Sequence, residues 1–186
     1  GYLLYMTSIE RARTLHKDFK SIVPELIGIV SKQTGIPKTD IYNTNSIRGA
    51  TMTHYDPVTH TYVPYCADDL FIVFDFSTDS SINVSCEEDD GSVSNFTSID
   101  LILYIYGDNS YDVAQKLKVR LFAEKVNNDM DAIGFHTEKI EQPEISNDFV
   151  NDTIVKMTKM TIVLGLCVKT KVDHADSIDS YEISVL

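Results

Sequence analysis

Residues 97–126, TSIDLILYIYGDNSYDVAQKLKVRLFAEKV, leave this chain little choice of local structure. Ile99, Leu101, Leu103 and Ile105 fall on one side of an extended backbone, and Asp100, Ile102, Tyr104 and Tyr106 fall on the other, because side chains alternate along a strand. The pattern predicts a strand set against a core on one face and partly covered on the other. Gly107 frees the backbone to turn, and Asp108, Asn109 or Ser110 can accept hydrogen bonds from the first amides of a following helix. Val113, Ala114, Leu117, Leu121 and Phe122 then recur at the spacing of one helix face.

The flanking sequence extends this unit in both directions. Thr7-Ser8-Ile9-Glu10 fits a capping box, and Ile9, Ala12, Leu15, Phe19, Ile22, Val23, Leu26, Ile27 and Val30 follow at helical spacing. Pro24 makes this a kinked helix or two helices, and Gly35 and Pro37 stop it. Residues 38–68 are rich in Thr, Tyr and Asn; their best element is a hairpin, with Ala50–Tyr55 and Thr61–Tyr65 flanking an Asp56-Pro57 turn. Further strands are expected at 69–77, Ile82–Cys86 and 135–141, with a polar turn at Glu87–Gly91 and a polar, acidic connection at Pro143–Asp152.

The longest alternating pattern runs from Thr153 to Val172. Met160, Ile162, Leu164, Leu166 and Val168 share one face, and Thr161, Val163, Cys167 and Lys169 the other. Unbroken, it would reach well over 50 Å at about 3.3 Å per residue, so its ends are expected to project or Gly165 to bend it. A last short strand is expected at Tyr181–Val185. With no repeat or dividing linker, residues 1–186 are read as one domain with an irregular segment at 38–68. Its class is α+β: a mixed, largely antiparallel sheet flanked by two main helices, the N-terminal one and the one after the central strand.

Charge is the informative part of the composition. A formal net charge of −12 opposes gripping a nucleic acid backbone or an anionic lipid surface. Cys66, Cys86 and Cys167 are odd in number and widely spaced, which argues against a disulfide framework or zinc knuckle and for a reducing compartment. No apolar run long enough to span a bilayer and no signal peptide is evident, so a cytoplasmic chain is expected. The start at Gly1, without an initiating Met, suggests a processed or trimmed chain.

Reaction chemistry is hard to place in such a chain. His16, His54, His60, His136 and His174 are scattered, and the six-residue separation of His54 and His60 matches no standard metal spacing. The acidic run Glu87-Glu88-Asp89-Asp90 lacks a calcium-loop pattern, and Gly107-Asp108-Asn109-Ser110 is neither a nucleophile elbow nor a phosphate loop. No catalytic residue, metal or cofactor is assigned. Lys116, Lys118, Arg120 and Lys125 interleave with acidic and neutral residues on the central helix, where they can meet an acidic neighbouring copy, and Tyr104 and Tyr106 are read as exposed tyrosines favouring contact.

One further pattern carries a resemblance. A strand ending in Tyr106-Gly107-Asp108-Asn109-Ser110 leads to a helix with Ala114, Leu117 and Leu121. Then come Ile133-Gly134-Phe135, Pro143, Asn147-Asp148-Phe149-Val150 and a long strand opening Lys156-Met157-Thr158-Lys159-Met160. Over roughly residues 97–172 this order resembles the neck or tail-terminator proteins of long-tailed bacteriophages. The resemblance implies a structural virion protein with no reaction and no cofactor. It would form a ring, usually of six copies, that caps the tail tube, meets head-completion or connector proteins, and lets DNA pass without specific binding. Its site would be the virion neck, after assembly in the host cytoplasm. Tyr104, Tyr106, Lys116, Lys118 and Arg120 are then interface candidates. Glu87, Glu88, Asp89, Asp90, Asp148 and Asp152 are candidates for the channel, since carboxylates do not hold a sliding polyanion. The alternative is a β-rich receptor- or glycan-binding module of a virion or bacterial surface, using the Tyr-rich 42–65 hairpin as a platform.

Overall fold

In a computed structural model, residues 19–47, 51–77, 83–87 and 89–170 are described. The capping box at 7–10, Glu88 and the strand expected at 181–185 lie outside them. The protein is α+β, as its periodicities predict. Two long strands, β6 (Val93–Tyr106) and β9 (Thr153–Thr170), pair antiparallel from Val93↔Thr170 to Tyr106↔Met157 and form the spine of a seven-stranded sheet. On the outer side of β6 lie β4 (Phe71–Ser77) and β5 (Asn83–Glu87), one at each end, and β1 (Ile41–Asn43) runs parallel to β4. On the outer side of β9 lie β7 (Phe135–Ile140) and β8 (Glu144–Val150). A separate hairpin consists of β2 (Thr53–Asp56) and β3 (Thr61–Pro64), close to the segments expected for it, with Asp56 in the strand instead of the turn.

The helices cover one face. Helix α1 (Phe19–Thr34) runs through Pro24 as one continuous element and buries Ile22, Leu26 and Val30. Gly35 ends it with φ +77 and its amide on the Ser31 carbonyl, the left-handed finish that glycine allows. Beneath the helices lie Ile72, Phe74, Leu101, Leu103, Ile105, Met160, Ile162 and Leu164, the even positions of β4 and β9 and the odd positions of β6. These are the residues that period-two alternation assigns to one face.

The central helix is two helices. Helix α2 (Ser110–Leu121) stops at Phe122, Ala123 takes an extended conformation (φ −68, ψ 135), and α3 (Glu124–Ile133) follows, buried through Val126 and Met130. The break turns Phe122 outward, to 61% exposure, although the helical stripe predicts it inside. Neither proline nor glycine marks this break in the sequence.

The second face carries a smaller core of Tyr65, Phe71, Val73, Tyr106, Val150 and Val155, with Tyr42, Ile47, Met52, Tyr104 and Met157 packed against it. The irregular 38–68 segment thus covers the sheet. Pro143–Asp152 contains a strand where a connection is expected: β8 pairs with β9 from Glu144↔Lys159 to Val150↔Thr153 across the two-residue turn Asn151-Asp152. Both turn residues have positive φ (50° and 62°), the left-handed pair that closes a tight hairpin. The β8–β9 turn passes the end of β6, so β9 does project there, but as half of a hairpin. Gly165 leaves the strand assignment unbroken. A Cβ there would meet Glu138 Oε1 at 2.7 Å, and Glu138 lies across it to accept a 2.8 Å hydrogen bond from Ser98.

Candidate assembly surfaces

Tyr106, an interface candidate on sequence grounds, is a core residue. It is 8% exposed, its ring is stacked on Phe71 at 4.6 Å and 2°, and its hydroxyl donates to Asp148 Oδ2 at 2.6 Å. Burial, then the Asp148 carboxylate, push its pKa up from the ordinary tyrosine value of 10.0. Tyr104 on the same face is half-buried against this cluster. Period two correctly puts both on the second face, but the cover comes from a segment remote in sequence. Tyr65 stacks on Phe71 at 4.2 Å and on His54 at 4.9 Å, and its hydroxyl donates to Asp40 at 2.6 Å and sits 2.8 Å from that of Tyr42. Burial first, and the Asp40 carboxylate second, raise the Tyr65 pKa as well. His54 in turn lies 3.4 Å from Asp69.

Asp148 is accordingly a partner of the aromatic cluster, half-buried and bonded, in place of a free channel carboxylate. Asp152 is exposed in the β8–β9 turn. Glu87, Asp89 and Asp90 are exposed around the β5–β6 turn, where Gly91 has φ +76 and Asp90 Oδ1 accepts from the Ser92 amide at 3.0 Å. The two acidic sets lie at opposite ends of the spine, since Glu87 is level with Val93 and Thr170 while Asp152 adjoins Thr153. They are separate surfaces.

The basic residues divide in the same way. Lys116 is exposed and pairs with Asp112 one helical turn back at 2.8 Å. Lys118 donates to Gln142 Oε1 at 3.0 Å, tying α2 to the β7–β8 connection. Arg120 donates to the carbonyl of Gln33 in the last turn of α1, where a cation also meets the negative end of the helix dipole. Arg120 therefore ties two helices together and Lys118 ties the helix layer to the sheet, as well as presenting charge.

The Gly107 corner is structural. Gly107 has φ +121, its amide donates to the Lys156 carbonyl at 2.9 Å, and an added Cβ would stand 2.7 Å from the Asp69 carbonyl oxygen. No side chain caps α2: Asn109 is the N-cap without a side-chain bond, and Ser110 is buried with its hydroxyl 2.8 Å from that of Thr158 on β9. Beside the corner, the exposed Asp68 carboxyl shares a hydrogen bond with Asp108, and that bond and the charge of Asp108 push its pKa up.

Two apolar surfaces escape the sequence reading. On the helix-side face of the β8–β9 hairpin, past the N-terminal end of α2, Ile145, Phe149 and Ile154 are exposed, Phe149 to 72%, with Phe149 directly opposite Ile154. At the break between α2 and α3, Val119 and Phe122 are exposed. A signal for the first is present in the sequence: Ile145 and Phe149 keep one parity against Val150, and Asn151-Asp152 is a two-residue hairpin turn. Exposed Tyr55 and Tyr62, with ring centroids 5.6 Å apart, form a third patch on the β2–β3 hairpin.

Among the described residues no cluster of His, Cys, Asp or Glu is arranged to hold a metal ion. Fold and surfaces define an α+β protein with helices on one face of its sheet, an aromatic cover on the other, and apolar patches at separate places on its outside. No family model matches the chain, and no curated protein matches it.

Proposed function

We propose that this chain is a structural virion protein of the tail-terminator or neck type: a closed ring, of six copies, that caps a phage tail tube and joins it to the head while DNA passes through. The observation that carries the reading is the pair of apolar patches, Ile145–Phe149–Ile154 and Val119–Phe122, on different elements of a chain whose formal charge is −12. Large apolar side chains grouped on a surface mark places where proteins meet. A ring needs two different patches on each copy, because a head-to-tail contact joins unlike surfaces. The order of elements from Tyr106 to Met160, a strand, Gly107 corner, helix, hairpin and long strand, supports the same reading.

The role assigns no reaction, cofactor or metal. The partners are further copies of the chain, the tube protein and the head-side connector. Glu87, Asp89, Asp90 and Asp152, exposed at the two ends of the spine, are the described carboxylates assigned to face DNA without holding it. A terminator fits the tube on one face and mismatches it on the other, so that polymerisation ends. Electron microscopy of lysates from a phage with this gene disabled tests the role: overlong or headless tails beside filled heads are expected, and normal tails joined to full heads would overturn it. Exposed Tyr55 and Tyr62 favour one other reading, a receptor- or glycan-binding module, for which the same lysates would contain intact virions that fail to adsorb.

A further inference from the structure

The two apolar patches lie at opposite ends of α2. Ser110, its first residue, bonds Thr158, the cross-strand partner of Ile145 in the hairpin. Val119 and Phe122 lie at its other end, and 12 residues at about 1.5 Å each put some 18 Å between the two ends. One copy cannot bring its own patches together, but two copies can.

Charges on the two patches can pair across such a contact. Exposed Asp152 lies at the turn beside the hairpin patch, and exposed Lys116, Arg120 and Lys125 flank the junction patch. Lys156, exposed on the face of the hairpin patch itself, has a counterpart in exposed Glu124 at the start of α3. The same hairpin face set against a second copy of itself would instead bring Lys156 against Lys156, which disfavours that pairing.

We infer that the β8–β9 hairpin of one copy docks on the α2–α3 junction of the next, Phe149 and Ile154 packing against Val119 and Phe122 with Asp152 near the junction cations and Lys156 near Glu124. This rests on the ring reading and names its contact. The contact is heterologous, so each copy keeps one hairpin and one junction free until the ring closes.

The test uses two surface variants, Phe149→Glu on the hairpin and Phe122→Glu on the junction, with Ile154→Lys and Val119→Glu as a second pair. Circular dichroism melts confirm that each is folded. Particle masses are then counted by mass photometry, alone and on tube ends. Each variant alone is expected to remain monomeric, while an equimolar mixture of the two forms particles of two copies, because one intact hairpin still meets one intact junction. Phe122→Glu assembling like the wild type while Phe149→Glu does not would show a hairpin-to-hairpin contact and overturn the inference, as would a mixture that stays monomeric. Wild-type rings that persist in both variants would sink this contact and leave the ring reading standing. A wild type that never assembles would sink both.

Discussion

At Gly107 the backbone turns with φ +121, and an added Cβ would stand 2.7 Å from the Asp69 carbonyl oxygen. Strain and collision act together there, so Gly107→Val should cost on the order of 3 kcal/mol or more, read as a fall in the denaturant midpoint. Three residues on, Ser110 looks from sequence like a helix cap, whose loss would cost about 1 kcal/mol. It is instead buried against Thr158, so Ser110→Ala strips a partner from a buried hydroxyl and should cost roughly 1–3 kcal/mol. Val at Thr158 in the same chain should recover part of that loss. The two buried tyrosines make a pH prediction. Tyr65 and Tyr106 have folded pKa values raised above 10.0, so their contribution to stability is complete below the unfolded value near 10 and declines as pH rises past it. Urea unfolding between about pH 8 and pH 11 should show that decline, and Tyr65→Phe with Tyr106→Phe should flatten it.

The β8–β9 hairpin is held at both its turn and its flank. Asn151 and Asp152 each adopt positive φ, and the Asn151 side-chain amide pairs twice with the backbone of Met52, accepting from its amide at 2.9 Å and donating to its carbonyl at 2.8 Å. That amide joins the hairpin to the 51–65 cover as a neighbouring strand would. Asn151→Ala should therefore lower stability by about 2 kcal/mol, through two lost bonds and a strained turn. Asp152→Gly relieves the left-handed φ but adds about 0.4–1 kcal/mol of unfolded-state entropy cost, so the two effects largely cancel. Differential scanning calorimetry should show a clear fall in Tm for Asn151→Ala and little change for Asp152→Gly. The elements that sequence exposes best are those whose pattern is local. Leu101, Leu103 and Ile105 alternate without interruption, and Gly35 and Gly134 finish their helices with positive φ as their positions suggest. What stays hidden depends on distant packing. The cover that buries Tyr106 comes from Tyr42 to Tyr65, and β8 reads as a polar connection because Ser146, Asn147 and Asp148 interrupt its apolar residues. The α2–α3 break hides for the opposite reason: Leu121 and Phe122 extend a helical stripe with no residue that opposes it. Phe122 and Phe149, on which the candidate contact turns, are both lost in these misread stretches.

For the molecule as a whole, sheet and helices share one core and present unlike surfaces at different places, as a subunit in a closed ring must. The acidic sets at the two ends of β6 and β9 are far apart: 18 residues of β9 at about 3.3 Å span some 60 Å. If the spine runs along the channel, Glu87, Asp89 and Asp90 line one mouth and Asp152 the other. A structure of the assembly should then show an acidic or neutral bore, and a bore lined by Lys and Arg would contradict the argument from charge. The most direct test of the central claim is the mass and shape of the particle the purified chain forms, alone and with tail-tube ends, by mass photometry and negative-stain averaging. The expected particle is one discrete closed ring with a central hole, at six times the chain mass of 20.9 kDa. A strict monomer under both conditions would contradict the claim.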